Sequence, residues 1–162
     1  MTTLPLTGGC QCGAIRYAVH AEPTNPHICH CRMCQKAVGS IFAPYTGVRR
    51  DDFKLTRGSL QTFMSSPVSE RGFCSRCGTP LTFRYLDVDR ISFTIGSLDE
   101  PERVKPAAQY SVESRVSWFH ELAGLPDNRT EDLIPPDWLA RIKSRQHPDH
   151  DTDDWNPPEQ PE

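Results

Sequence analysis

The chain has 162 residues, 36% hydrophobic and 24% charged, with a formal net charge of -3 and a mean hydropathy of -0.56. That length suits one domain with a core of its own, no apolar run is long enough to span a bilayer, and the first residues lack the basic start and apolar centre of a secretory leader. The expectation is a soluble, cytoplasmic protein that binds neither membrane nor nucleic acid, since the latter calls for a strong basic patch.

From Ala14 to Val19 apolar and polar residues alternate, as in a half-buried strand. Arg32 to Val38 reads as a short helix that Gly39 would end. Strands follow at Ser40 to Tyr45, Phe53 to Leu55, Leu60 to Phe63, Leu81 to Tyr85 and Ile91 to Ile95. Turns are marked by Gly58-Ser59, Cys77-Gly78-Thr79-Pro80 and Gly96-Ser97. A second helix is expected from Pro136 or Asp137 through Trp138, Leu139 and Ile142, with proline in its first turn. The fold class is mainly β with small helices, in a domain covering residues 1–146. Residues 147–162 carry six acidic residues, four prolines and no Lys or Arg, a composition that reads as a disordered, solvated end. Without that segment the balance of the body turns to about +3, which fits a small anionic ligand.

Seven cysteines fall into three groups: Cys10 with Cys12; Cys29, Cys31 and Cys34; Cys74 with Cys77. In a reducing compartment such groups are metal ligands more often than disulfides, and an odd count does not complete a disulfide framework. Residues i and i+2 of an extended segment face one side, so Cys10 and Cys12 can present two sulfurs to one ion. Cys74 and Cys77 can do so across a tight turn, where Gly78 supplies positive φ. Zinc gathers thiolates tetrahedrally at about 2.3 Å. The simplest division is a closed structural zinc on Cys10, Cys12, Cys74 and Cys77, and a second zinc on Cys29, Cys31 and Cys34. The second would be an open, catalytic site with a vacant fourth position. It would hold metal more weakly, so the chain would carry between one and two zincs. His27 or His30 could close it into a second structural site, although an extended backbone turns His30 away from its neighbours. A redox role for Cys74 and Cys77 finds no thioredoxin-like surroundings.

Three stretches resemble the glutathione-dependent formaldehyde-activating enzyme family, the GFA domain, which also includes the centromere protein V-like proteins. They are Gly8-Gly9-Cys10-Gln11-Cys12-Gly13-Ala14-Ile15-Arg16-Tyr17, Cys29-His30-Cys31-Arg32-Met33-Cys34-Gln35-Lys36, and Phe73-Cys74-Ser75-Arg76-Cys77-Gly78-Thr79-Pro80-Leu81. The likeness continues through Glu113 to Phe119 and covers roughly Thr7 to His120. It implies an Mss4-like fold (a zinc-ribbon-like β-tent) and the same division of the cysteines. It also implies a carbon-sulfur lyase acting on a thiol-aldehyde adduct such as S-hydroxymethylglutathione, with glutathione as co-substrate and a small thiol or aldehyde as partner. The alternative is a binding module in which both metals are structural. Three thiolates on Zn2+ leave a net charge near -1, so a fourth thiolate needs positive neighbours, for which Arg32 and Lys36 are near in sequence. Gln109 stands where a histidine is expected. Glu113, Arg115, Trp118 and Phe119 read as a packed aromatic pair with a surface ion pair, or as a wall of the thiol groove.

Overall fold

The computed structural model describes residues 4–157. Ten strands form two sheets. The smaller holds β1 (Leu6–Gly9), β2 (Arg16–Val19) and β5 (Phe53–Arg57), in the order β1-β2-β5. Both pairings are antiparallel, and every residue of the central strand β2 is buried. The larger sheet holds β3 (Thr24–Cys29), β4 (Ala43–Arg49), β6 (Gln61–Ser66), β7 (Ser69–Phe73), β8 (Pro80–Tyr85), β9 (Arg90–Thr94) and β10 (Ala108–Tyr110). Its order is β10-β3-β4-β9-β8-β7-β6. The β10 pairing with β3 is parallel and sets Tyr110 beside Cys29. The fold is mainly β and zinc-ribbon-like, as expected.

The main core lies between the sheets. Tyr17, Val19, Leu81 and Phe93 are fully buried in it. Tyr17 stacks on Phe53 with ring centroids 4.8 Å apart, and its hydroxyl meets Ser97 at 2.7 Å. Four such side chains removed from water contribute on the order of 1.5–3 kcal/mol each, and the hydroxyl would be costly there without Ser97. Cys10, Cys12 and Cys74 belong to this core, and Cys77 packs against it. A second, smaller core holds Cys29, Cys34, Ala43 and Tyr45, with Cys31, Val38 and Phe83 against it.

Helix α1 runs Arg32–Val38 and ends at Gly39, whose φ of 65° is the left-handed cap expected from the sequence. The expected strand from Ser40 begins later, at Ala43. Four strands have no counterpart among the sequence expectations: β1, β3, β7 and β10. After residue 116 the chain runs through short, mostly exposed turns, including α2 (Thr130–Leu133) and α3 (Pro136–Leu139). The helix foreseen through Ile142 is thus a single turn.

Residues 147–157 then lie against the small sheet. The His147 amide donates to the Gln11 carbonyl at 2.8 Å. Arg57 donates to the Thr152 carbonyl and, at 3.1 Å, to its hydroxyl. Arg16, only 3% exposed, pairs with Asp99 at 2.5 Å and with Asp151 at 2.7 Å. Of the acidic segment named above, residues 158–162 fall outside the described chain.

Candidate metal centre

Two groups of sulfurs converge. Cys10 and Cys12 lie on the connection from β1 to β2, and Cys74 and Cys77 on the connection from β7 to β8; their four sulfurs lie within 4.8 Å of one another. The first turn is closed by the Cys10 amide on the Ile15 carbonyl and the Gly13 amide on the Cys10 carbonyl, both at 3.0 Å. The second is closed by the Gly78 amide on the Cys74 carbonyl at 2.8 Å, with Gly78 at φ 77° as foreseen. Sulfur-sulfur distances of 3.6 Å (Cys10 to Cys12) and 3.9 Å (Cys12 to Cys74) bracket the spacing of about 3.8 Å that a tetrahedron with metal-sulfur bonds of about 2.3 Å requires. The donor set therefore fits a metal ion.

Burial raises the Cys10 and Cys12 thiols despite amide hydrogen bonds that oppose it. At Cys77 burial also acts upward, but the hydroxyl and amide of Thr79 and the amide of Cys12 outweigh it and bring the thiol down to about 6. The cluster thus contains one sulfur ready to ionise at neutral pH, and a bound cation would hold the others as thiolates.

Cys29 ends β3, Cys31 caps α1, and Cys34 lies one turn into that helix. Their three sulfurs also lie within 4.8 Å of one another. The Cys34 amide donates to the Cys31 sulfur at 3.3 Å. At Cys31 burial pushes upward, but that amide, the neighbouring sulfurs and the Arg71 charge bring the thiol below its usual value. Burial pushes Cys34 up to about 12 even with Arg71 beside it. Among the described residues no histidine joins the group. His27 stacks on Tyr110 and turns Nδ1 to the Asn25 carbonyl.

The family model for the glutathione-dependent formaldehyde-activating enzyme matches residues 5–114. The chain belongs to this family. A Schizosaccharomyces pombe protein described as an uncharacterized lyase is 31% identical over 78 residues, which are 48% of this chain and 56% of that protein. The chain thus matches little more than half the length of that relative. A crystal structure of a Rhodobacter sphaeroides protein superposes with a TM-score of 0.53 at 20% identity, covering 64% of this chain and 99% of the other; it bears on the fold alone.

In this GFA domain His30 points away from the three sulfurs, as the backbone argument foresaw. It is fully buried between Phe42 and Phe119, and its Nε2 meets Gln109 Oε1 at 3.0 Å, while Nδ1 has no partner. Gln109, in the place where a histidine was expected, also accepts from Arg115 Nη1 at 3.3 Å. Arg115 in turn lies 5.7 Å from the Phe119 ring centre. Trp118 is 45% exposed and Glu113 is exposed. Arg32 donates to Gln35 Oε1, and both Arg32 and Lys36 are exposed.

The cation that does face the three sulfurs is Arg71 of β7, 4% exposed, with Nη2 donating to Cys34 at 3.4 Å. Its Nη1 donates to the Tyr45 hydroxyl at 2.8 Å, its Nε to Ser65 at 2.9 Å, and its guanidinium lies 4.8 Å from the Phe83 ring centre. Sequence reasoning missed it. The signal was its place three residues before Cys74, opposite Phe83 once β7 and β8 pair.

Proposed function

We propose that this domain is a zinc-dependent carbon-sulfur lyase that makes and breaks the adduct of a small thiol with an aldehyde, S-hydroxymethylglutathione being the adduct the family description implies. The observation that carries this reading is the cluster of Cys29, Cys31 and Cys34, which converges with no fourth Cys, His, Asp or Glu among the described residues and has a buried guanidinium beside it. Cys10, Cys12, Cys74 and Cys77 are assigned to the structural zinc. The name of the yeast relative supports the reaction type. Seven unpaired cysteines suit a reducing compartment such as the cytoplasm.

Breaking the adduct sends the carbon-sulfur electron pair to sulfur and the hydroxyl proton to water, and leaves a carbonyl. Zinc held by the three cysteines would offer a fourth position that stabilises the departing sulfur as thiolate. Arg71 answers the charge problem: three thiolates on a divalent ion already carry about -1, and a fourth sulfur adds to it. A guanidinium stays protonated under all ordinary conditions, and at this depth salt screens it little. The Cys34 amide and the end of β3 fix the sulfurs before substrate arrives, so the geometry costs little to assemble.

The test is metal quantification together with titration of thiols and aldehydes, followed by product NMR. The expected result is between one and two zincs per chain, with exchange of S-hydroxymethylglutathione faster than in buffer and lost in Cys31→Ser. Two tightly held zincs with no acceleration would make the domain a binding module with both metals structural.

A further inference from the structure

A cavity of about 320 Å3 is lined by two residues that also pack on the three-cysteine cluster, Arg71, which donates to Cys34, and Tyr45, which shares the small core of Cys29 and Cys34. Its walls include Phe63, Phe73, Pro80 and Ala37, the last on the helix that carries Cys34; its polar groups include Tyr45 and Arg71. Tyr45 is 3% exposed and belongs to the same small core as Cys29 and Cys34. Arg71 is held on three sides, by Ser65, Cys34 and the Phe83 face, and it holds the phenol in turn. The hydrogen bond from Arg71 is the only one described for the Tyr45 hydroxyl among these residues, and the phenol oxygen accepts it. A hydroxyl that accepts still has its own proton to give, and donation from a cation strengthens that second bond. Phe63 stands on the edge strand β6, 47% exposed, with its ring centre 6.1 Å from that of Phe73.

We propose that this cavity is the carbonyl pocket: Tyr45 donates a hydrogen bond to the aldehyde oxygen, and Phe63, Phe73 and Pro80 receive an apolar substituent on the aldehyde, so that aromatic and branched aldehydes are preferred to formaldehyde. The inference rests on the lyase reading above and names its substrate class. In adduct formation the sulfur pair makes the carbon-sulfur bond, the carbonyl π pair moves to oxygen, and that oxygen takes a proton from water; breakdown reverses each move. A donor fixed where negative charge gathers lowers the barrier more than one that must reorient. Formaldehyde has two heavy atoms and would fill little of a cavity whose size falls in the range of small-molecule sites, about 300–1,000 Å3. Burying the half-exposed Phe63 ring against a substituent adds binding that formaldehyde cannot use.

The experiment uses the full chain loaded with zinc, and exchange NMR of the glutathione adducts of benzaldehyde and formaldehyde. A parallel saturation-transfer measurement uses benzyl alcohol, which cannot form an adduct. The benzaldehyde adduct should exchange with at least tenfold higher kcat/KM. Tyr45→Phe should lower both rates by roughly 10²-fold with zinc content unchanged. Phe63→Ala, on an exposed edge and harmless to folding, should cut the benzaldehyde-to-formaldehyde ratio about tenfold and weaken saturation transfer to benzyl alcohol. Formaldehyde adduct accelerated equally by parent and both variants would overturn the carbonyl pocket while leaving the lyase reading intact. No acceleration of either adduct would remove the lyase reading, and this inference with it.

Discussion

The indole nitrogen of Trp155 donates a hydrogen bond to the carbonyl oxygen of Cys12, 2.8 Å away and 143 residues earlier in the chain. Between them lies Gly13, at φ 73°, where a Cβ would stand 2.3 Å from His147 and 2.4 Å from Trp155. The cysteine turn and the late segment are therefore fitted to one another. Trp155→Ala should lower stability by about 1–2 kcal/mol through the lost hydrogen bond and partial burial. Gly13→Ala should cost at least as much, from the left-handed backbone and the clash. Chemical denaturation of the two single variants and the double variant checks this: the double should cost less than the sum, because once Trp155 is gone part of the clash has gone too.

The two metal groups should differ in what they hold together. Cys74→Ser should unfold or severely destabilise the domain, since structural zinc in small domains contributes roughly 10 kcal/mol or more and this cluster joins segments far apart in sequence. Cys31→Ser should lose the second metal yet melt near the parent, because its ligands are chain neighbours and close only a short loop. Zinc content and thermal melting of both variants decide the matter. Equal destabilisation by both would make the second site structural.

Arg71→Met keeps much of the stem but removes the charge facing Cys34. Second-site zinc and thiol affinity should fall about tenfold, the equivalent of about 1.4 kcal/mol, while the first site stays filled. The buried Tyr45 hydroxyl would lose its partner, for a stability cost of about 1–3 kcal/mol. Zinc titration with a chromophoric chelator reads the first effect and urea denaturation the second.

Acid should act in two stages. Burial, with the charges of Arg16 and Arg57 outweighing the Pro148 carbonyl and Asp99, holds His147 below its ordinary 6.5. The free segment therefore takes a proton near pH 6.5 while the docked one resists, so docking is strongest above that pH and weakens as pH falls through it. Asp99 is next: burial would raise it, but Arg16 and Thr7 hold it below the usual 3.8. Its stabilisation is present above about pH 4 and is lost as pH falls toward the lower folded value. The protection factors of the amides of residues 147–155, read by hydrogen exchange, should fall as pH drops below about 6.5, before global unfolding. Asp99→Ala should cost about 3 kcal/mol at pH 7 and flatten the later loss.

The cysteine grouping was legible because each pair or triplet is local, while the joining of the two distant pairs followed only from a closed site needing four sulfurs. Helix α1 was legible through Gly39. Strand β7 was not, because Ser-Glu-Arg-Gly-Phe reverses the usual pattern: Ser69 and Arg71 face inward at 2% and 4% exposure, and their partners are supplied by strands β4, β6 and β8 that no local window sees. Arg32 and Lys36 were nearer in sequence to the cluster, yet the pairing of β7 with β8 brings Arg71 there instead. Three residues of β10 are too few for any periodicity. Composition averaged over 147–162 conveyed charge and proline, and could not reveal that His147 and Trp155 would find a side-chain-free backbone at Gly13.

Cys10 and Cys12 belong to the connection inside the small sheet, Cys74 and Cys77 to one inside the large sheet, whereas Cys29, Cys31 and Cys34 all hang from the large sheet and its helix. With a metal bound, the first cluster would be a rivet through two plates and the second a fitting on one of them. Tension applied between Leu6 and Pro157 would load Trp155, Asp151 and the rivet first, and the plate bearing Tyr45, Arg71 and the three sulfurs would yield last.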